Sequence, residues 1–234
     1  MAETEFGVPG EPIERTQIRV RKAARALGRH GLGHAYGHIS ARLDADSFLV
    51  CVAKPMGNIA PGEDGVVVPV EGPLPEGVLG EVRCHQQIYR RRPKVGGICR
   101  TFLRDVMTLS TLRRTPRPLH GFATYFAPQP PLWDDPLLLR NDEAASRLAD
   151  QLGDARAIVM RGNGAVMVGA TVEESIVMAF YLEEAAKTEL AVLATGIEPE
   201  VLTLEQAEAR AVTSGRIFER MWDYLTHGDP ENGI

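Results

Sequence analysis

Two short apolar runs, AIVM and AVMV, stand on either side of Arg161-Gly162-Asn163-Gly164. Two glycines and an asparagine within four residues supply the backbone freedom that a tight hairpin needs. Residues 157–160 and 165–168 therefore read as an antiparallel pair. Thr171 follows in the position of a helix N-cap, with Glu173 and Glu174 in the first turn. That helix runs to about residue 194 and stops at Gly196. A hairpin followed directly by a long apolar helix points to helices packed on a sheet.

Other segments follow the same alternation. Ile13, Ile18, Val20, Ala24 and Leu27 fall at helical spacing within 11–30, and Gly31 and Gly33 end that helix. Residues 36–43 and 48–53 read as strands around the turn Asp44-Ala45-Asp46-Ser47. The Gly- and Pro-rich stretch 61–78 is expected to form a strand hairpin with loops. A helix over 78–92 ends at Pro93, a short strand covers 95–101, and 105–112 is helical. Residues 115–133 hold five prolines and several aromatics, an irregular loop of the kind that carries function or an interface. Asn141 caps a helix to residue 152, and a last helix covers 203–225. The expected fold is one α/β domain over 11–228, with a mixed, largely antiparallel central sheet flanked by helices. A disordered tail is expected at 1–10 and a second tail at 229–234.

A chain of 234 residues, 44% hydrophobic and 24% charged, can bury such a core. Its net charge of −5 leaves no basic excess to neutralise phosphates, so no nucleic acid partner is expected. Arg90-Arg91-Arg92 lies at a helix end, where positive charge suits the dipole. No apolar run is long enough to span a bilayer, and MAETEFGVPGEPIE has no apolar signal core. Cys51, Cys84 and Cys99 are odd in number, widely spaced and set in apolar stretches. Buried, reduced thiols and a cytoplasmic location are expected.

Three segments in chain order resemble the class II aldolase/adducin superfamily. They are 31–43, GLGHAYGHISARL; 80–112, GEVRCHQQIYRRRPKVGGICRTFLRDVMTLSTL; and 160–188, MRGNGAVMVGATVEESIVMAFYLEEAAKT. Members of that family hold a divalent metal, usually zinc, with three histidines, and the metal polarises a carbonyl. Matched position by position, the histidines fall on Arg100, Phe102 and Asn163. A guanidinium has no lone pair to offer, a phenyl ring has no donor atom, and an amide is a weak neutral ligand. The resemblance therefore implies no inherited metal here, and no cofactor is assigned. A relocated divalent metal held by His34, His38, His85 and His120 stays open.

The family's acid/base glutamate falls on Glu81, which also opens a helix and suits its dipole there. The phosphate-binding positions of the sugar-phosphate aldolases fall on His38, on Lys54-Pro55-Met56-Gly57 and on Leu79-Gly80, without their hydroxyls. The replacements suit a carboxylate instead. Arg100 presents a planar fork for one, or else forms a salt bridge to a neighbouring side chain. His38, Lys54, Asn163 and Tyr125 are the other candidate substrate-binding groups. His85 lies one turn after Glu81 and either serves as a second acid/base or packs as an ordinary helix histidine. His120, in the aromatic loop, is a candidate general acid or a plain loop histidine.

The HAYGHIS, AKPMG and HQQIYRRRP segments resemble the branch that decarboxylates hydroxylated aromatic acids of the dihydroxyphthalate type. The implied activity is that of a carbon–carbon lyase on a small carboxylated substrate. Arg100 would hold a carboxylate that stays on the ring, and Glu81 or His120 would protonate the carbon that loses CO₂. Two alternatives remain: an aldolase, epimerase or cyclase on a non-phosphorylated substrate, and a non-catalytic scaffold. The resemblance also implies a homo-oligomer, commonly a tetramer. The loop 122–133 and the last helix, with Trp222 and Tyr224, would then reach a neighbouring subunit.

Overall fold

In the computed structural model, which describes residues 7–233, β1 (His38–Arg42) turns back onto β2 (Ser47–Val50). The Asp44 carboxylate organises that turn by accepting the backbone N–H groups of Asp46 and Ser47 and the Ser47 hydroxyl. β3 (Val66–Pro69) adds to β2, and β4 (Gly97–Thr101) adds to the other side of β1. β7 (Ala165–Gly169) pairs with β4 and, through the Arg161–Gly164 turn, with β6 (Ala157–Met160). β5 (Leu132–Trp133) lies parallel to β6. The resulting order is β3-β2-β1-β4-β7-β6-β5, a mixed sheet in which β5–β6 is the single parallel pairing among the described residues.

Side chains alternate across this sheet and feed two cores. Ile39, Cys99 and Met167 face α1 (Ile13–Arg29), α3 (Arg104–Thr111), α5 (Val172–Thr195) and α7 (Ile217–Leu225). Phe48, Ile98 and Val166 face α2 (Arg83–Arg91) and α4 (Asp142–Leu152). The capping residues act as their sequence positions suggest. Asn141 accepts from the Ala144 N–H and Thr171 from that of Glu174. All three cysteines are free and buried. Among the described residues no helix is long and apolar enough to cross a membrane.

Four sequence expectations need correction. The segment 203–225 is not one helix but α6 (Leu204–Arg210) and α7, because Gly215 and Arg216 turn the chain with positive φ of 74° and 56°. Of the hairpin expected at 61–78 only β3 forms, since Gly62, Gly72 and Gly77 also adopt positive φ and prolines interrupt the rest. Residues 1–6 of the expected disordered tail lie outside the described residues, but 7–10 are tied down. The Gly7 N–H donates to Glu173 and the Gly10 N–H to the Leu43 carbonyl.

The segment 229–233 is no loose tail either. Asp229 and Glu231 are buried against α1, where Arg25 donates to both at 2.6–2.8 Å. Arg21 joins Glu231 at 2.6 Å and Asp64 at 2.7 Å, and Arg25 also reaches the Ile59 carbonyl at 3.1 Å. The loop after β2 is thus moored to α1. Gly28 and Gly57 close the same contact: a Cβ on Gly28 would lie 2.3 Å from the Gly57 Cα. Only two bare backbones can approach that closely.

Candidate active site

A cavity of about 850 Å³ opens at the end of the sheet where β1 begins and β4 finishes. The Cα register places His38 opposite Arg100, and both lie on the α2 side of the sheet. Glu81 enters the cavity wall from the short turn Gly80–Val82 that leads into α2. Lys54 comes from the moored loop and Asn163 from the β6–β7 turn. Segments distant in the chain therefore bring His38, Lys54, Glu81 and Asn163 to one chamber.

Arg100 lies elsewhere than a substrate-binding fork requires. It is only 1% exposed and sits beneath the wall. Its guanidinium carbon is 4.0 Å from the Phe102 ring centre, and Nη2 is 3.4 Å from Glu81 Oε2. The alternative of a salt bridge to a neighbouring carboxylate is the arrangement seen. Neither Nη1 nor Nη2 has a hydrogen-bond partner among the described residues, and Glu81 is the carboxylate that faces this cation.

His38 heads a buried chain of hydrogen bonds. Its Nδ1 is 2.8 Å from His85 Nε2; His85 Nδ1 is 2.7 Å from Ser40 Oγ; and Ser40 Oγ is 2.9 Å from the Tyr89 hydroxyl. Burial pushes the His85 imidazole down to about 3, with Arg100 adding to the shift. Burial, then His85 and Arg100, hold His38 well below its ordinary value. Burial and the neighbouring Arg100 thus favour the neutral form of both rings. His85 is fully buried behind His38 and does not line the cavity. His38 Nε2 and Asn163 Nδ2 are buried and have no partner among the described residues.

The rim carries Lys54, about half exposed and paired with Glu63. It also carries two residues that sequence reasoning passed over. Arg140 lines the cavity with no ion-pair partner among the described residues. Tyr36 packs edge-on against Phe102, with ring centres 6.1 Å apart, and gives the chamber an aromatic wall. Arg140 sits in an irregular segment that no motif marks; Tyr36 lies within the HAYGHIS segment, just before β1, which begins at His38 and not at residue 36 as expected.

His120 and Tyr125 are not in this chamber. The aromatic loop folds over α5 instead: Tyr125 stacks on Tyr181 at 5.2 Å and donates to the Val212 carbonyl at 2.6 Å. His120 packs edge-on against Phe122, and its Nδ1 accepts that residue's N–H at 3.4 Å. Trp222, expected at a neighbour, is buried in its own chain's core, whereas Tyr224 is exposed.

Asn163 depends on Gly164 for its placement. Gly164 has φ +77°, and a Cβ there would lie 2.1 Å from the Thr101 carbonyl oxygen. Gly164→Ala is expected to lower stability by about 2 kcal/mol or more, from the left-handed backbone plus a clash that neither strand can relieve. Denaturant unfolding checks this, and an unchanged midpoint would refute it.

The model of the class II aldolase and adducin N-terminal domain matches residues 18–190. The chain belongs to this family. Among curated relatives, the 3,4-dihydroxyphthalate decarboxylase of Arthrobacter keyseri is 25% identical over 191 residues, covering 74% of this chain and 77% of the relative. The decarboxylase tropJ of Talaromyces stipitatus is 27% identical over 187 residues, 69% of this chain and 70% of the relative. Among solved structures, L-fuculose-1-phosphate aldolase from Thermus thermophilus superposes with a TM-score of 0.70 at 28% identity. That match covers 80% of this chain and 99% of the other.

The family's metal finds no suitable donors at the matched positions. Arg100, Phe102 and Asn163 offer one amide oxygen between them. Nor do His34, His38, His85 and His120 gather into a relocated site: His38 and His85 bond to each other, and His34 and His120 do not line the cavity. Among the described residues no three His, Cys, Asp or Glu side chains are grouped to hold a metal ion.

Proposed function

We propose that this protein is a carbon–carbon lyase that removes CO₂, without oxidation, from a hydroxylated aromatic acid. The make-up of the single chamber carries this reading. One carboxylate, Glu81, shares it with the aromatic pair Tyr36 and Phe102, the cations Lys54 and Arg140, and the donors His38 and Asn163. A planar ring bearing acid and hydroxyl groups matches that combination of flat apolar wall and convergent donors. The decarboxylase names of the relatives support the same chemistry.

In this reading Arg140, with Lys54, holds a carboxylate that stays on the ring. Glu81 first takes the proton of a ring hydroxyl; the bond to the departing carboxylate then breaks, its electron pair remains on the ring, and Glu81 delivers the proton to that carbon. The ring oxygen regains its proton from solvent. Negative charge that develops on ring oxygens meets the N–H groups of His38 and Asn163. Three buried free thiols fit a cytoplasmic enzyme. The exposed Phe122 and Tyr224 are the surface assigned to contacts in a homo-oligomer of tetramer type.

The experiment is a screen of dihydroxyphthalates and related hydroxylated aromatic diacids in deuterated water. The expected result is CO₂ release with one deuterium gained at the vacated ring carbon. An aldehyde product would move the assignment to an aldolase. Absence of both turnover and ligand binding across the panel would favour the scaffold reading.

A further inference from the structure

We infer that His38 faces the cavity as a hydrogen-bond donor, in the neutral tautomer protonated on Nε2, and that Ser40 and Tyr89 fix this tautomer from behind. The inference deepens the decarboxylase reading and rests on it only for the identity of the ligand.

The chain His38–His85–Ser40–Tyr89 can run in either of two directions. Both imidazoles are neutral, so one proton is shared between His38 Nδ1 and His85 Nε2. The far end decides which ring holds it. The Tyr89 hydroxyl is buried, and Ser40 Oγ is its one hydrogen-bond partner among the described residues. Its close ring neighbours are Phe48, at 4.8 Å, and the Arg42 guanidinium, at 4.6 Å, and neither can accept a hydrogen bond.

The phenol must therefore donate to Ser40. Ser40 in turn donates to His85 Nδ1, which leaves the His85 proton on Nε2, directed at His38 Nδ1. The remaining proton of His38 is then on Nε2. In this direction the one hydrogen left without a protein partner is that on Nε2 of His38, the residue of the chain that lines the cavity. The reverse direction strands one hydroxyl hydrogen in the core, with the full desolvation penalty of an unmade bond.

The consequence is chemical. His38 Nε2 lines the cavity, is buried, and has no protein partner among the described residues, so its N–H is reserved for an acceptor on the ligand. A phenolate or carboxylate oxygen is the matching group. His38 does not act as the proton source. Giving up the Nε2 proton would draw a proton through each link and end with a phenolate at Tyr89, whose hydroxyl burial already makes harder to ionise. His38 stabilises charge, Glu81 moves the proton, and Ser40 and Tyr89 are positioning residues.

The test is the ring nitrogen spectrum of the full-length protein labelled with ¹⁵N-histidine, with His38 assigned by its loss in His38→Gln. One neutral form of His38, protonated on Nε2, is expected near neutral pH. A form protonated on Nδ1, or an imidazolium, would overturn the inference. Ser40→Ala removes the hydroxyl that donates to His85 and is expected to let both tautomers appear. A single unchanged Nε2–H form in that variant would refute the role of Ser40 and Tyr89. The readout needs no turnover, so a negative substrate screen beside an Nε2–H signal would sink the reaction and leave the tautomer standing.

Discussion

Glu81→Gln should release CO₂ about 10³-fold more slowly than the parent, within the range that a lost general acid costs. The amide keeps the size and most contacts of the side chain but cannot carry the proton. The same substitution removes the counter-charge of Arg100, which is 1% exposed and 3.4 Å away. Glu81 itself is 22% exposed and its approach to Arg100 lacks hydrogen-bond geometry, so the stability loss should be about 1–2 kcal/mol rather than that of a fully buried pair. The two effects separate cleanly when denaturant midpoints are measured beside CO₂ release. A folded Glu81→Gln protein with parental turnover would remove Glu81 from the reaction.

The second large effect lies far from the cavity. Replacing Asp229 by Asn and Glu231 by Gln together leaves Arg25 buried without an anion and Arg21 with Asp64 alone, an expected loss of about 3–5 kcal/mol. Burial alone would raise both carboxylates. The hydrogen bonds from Arg25 to Asp229, and from Arg21 and Arg25 to Glu231, outweigh it and hold both below their ordinary values. Groups depressed in the folded state stabilise it above the unfolded carboxylate range, and that contribution is lost as pH falls through the folded values. Wild-type stability should therefore drop on acidification below about pH 4, and the double variant should show a flatter profile there. Equal unfolding midpoints at pH 7 would show that the cluster contributes nothing net. The loop carrying Lys54 should loosen in the same variant, because Ile59 and Asp64 lose their anchored arginines.

Local chemistry made much of this architecture readable in advance. The AIVM-RGNG-AVMV hairpin and the Thr171 cap are decided within a few residues, and the sheet follows from them. His38, Lys54, Glu81 and Asn163 could be nominated because short motifs carry them, and the fold brings them to one chamber. The chain from Ser40 to Tyr89 was not legible, because its partners are 49 residues apart and the segments that contain them, HAYGHIS and HQQIYRRRP, do not show that the two hydroxyls meet. Arg140 was missed because an exposed residue in an irregular segment carries no period, and Tyr36 because residues 36–43 read as a strand, which the structure begins only at His38. His120 and Tyr125 misled for the opposite reason. An aromatic, proline-rich loop signals importance, yet only the stacking on Tyr181 shows that it runs along α5. For Arg100 the two readings differ by a few ångströms of depth, which residue type alone does not encode.

The α1 clamp also bears on how the chain reaches its folded state. Arg25 and Asp229 are 204 residues apart, so synthesis delivers Arg25 long before its anions, whereas Asp64 follows Arg21 after 43 residues. A nascent chain has no low-cost way to bury the Arg25 guanidinium alone, so its face of α1 is expected to stay hydrated while the sheet assembles. Arrival of Asp229 and Glu231 lets that face close and fastens the loop behind Lys54. The loop behind Lys54 is therefore expected to close onto α1 only once the segment 229–231 has joined it.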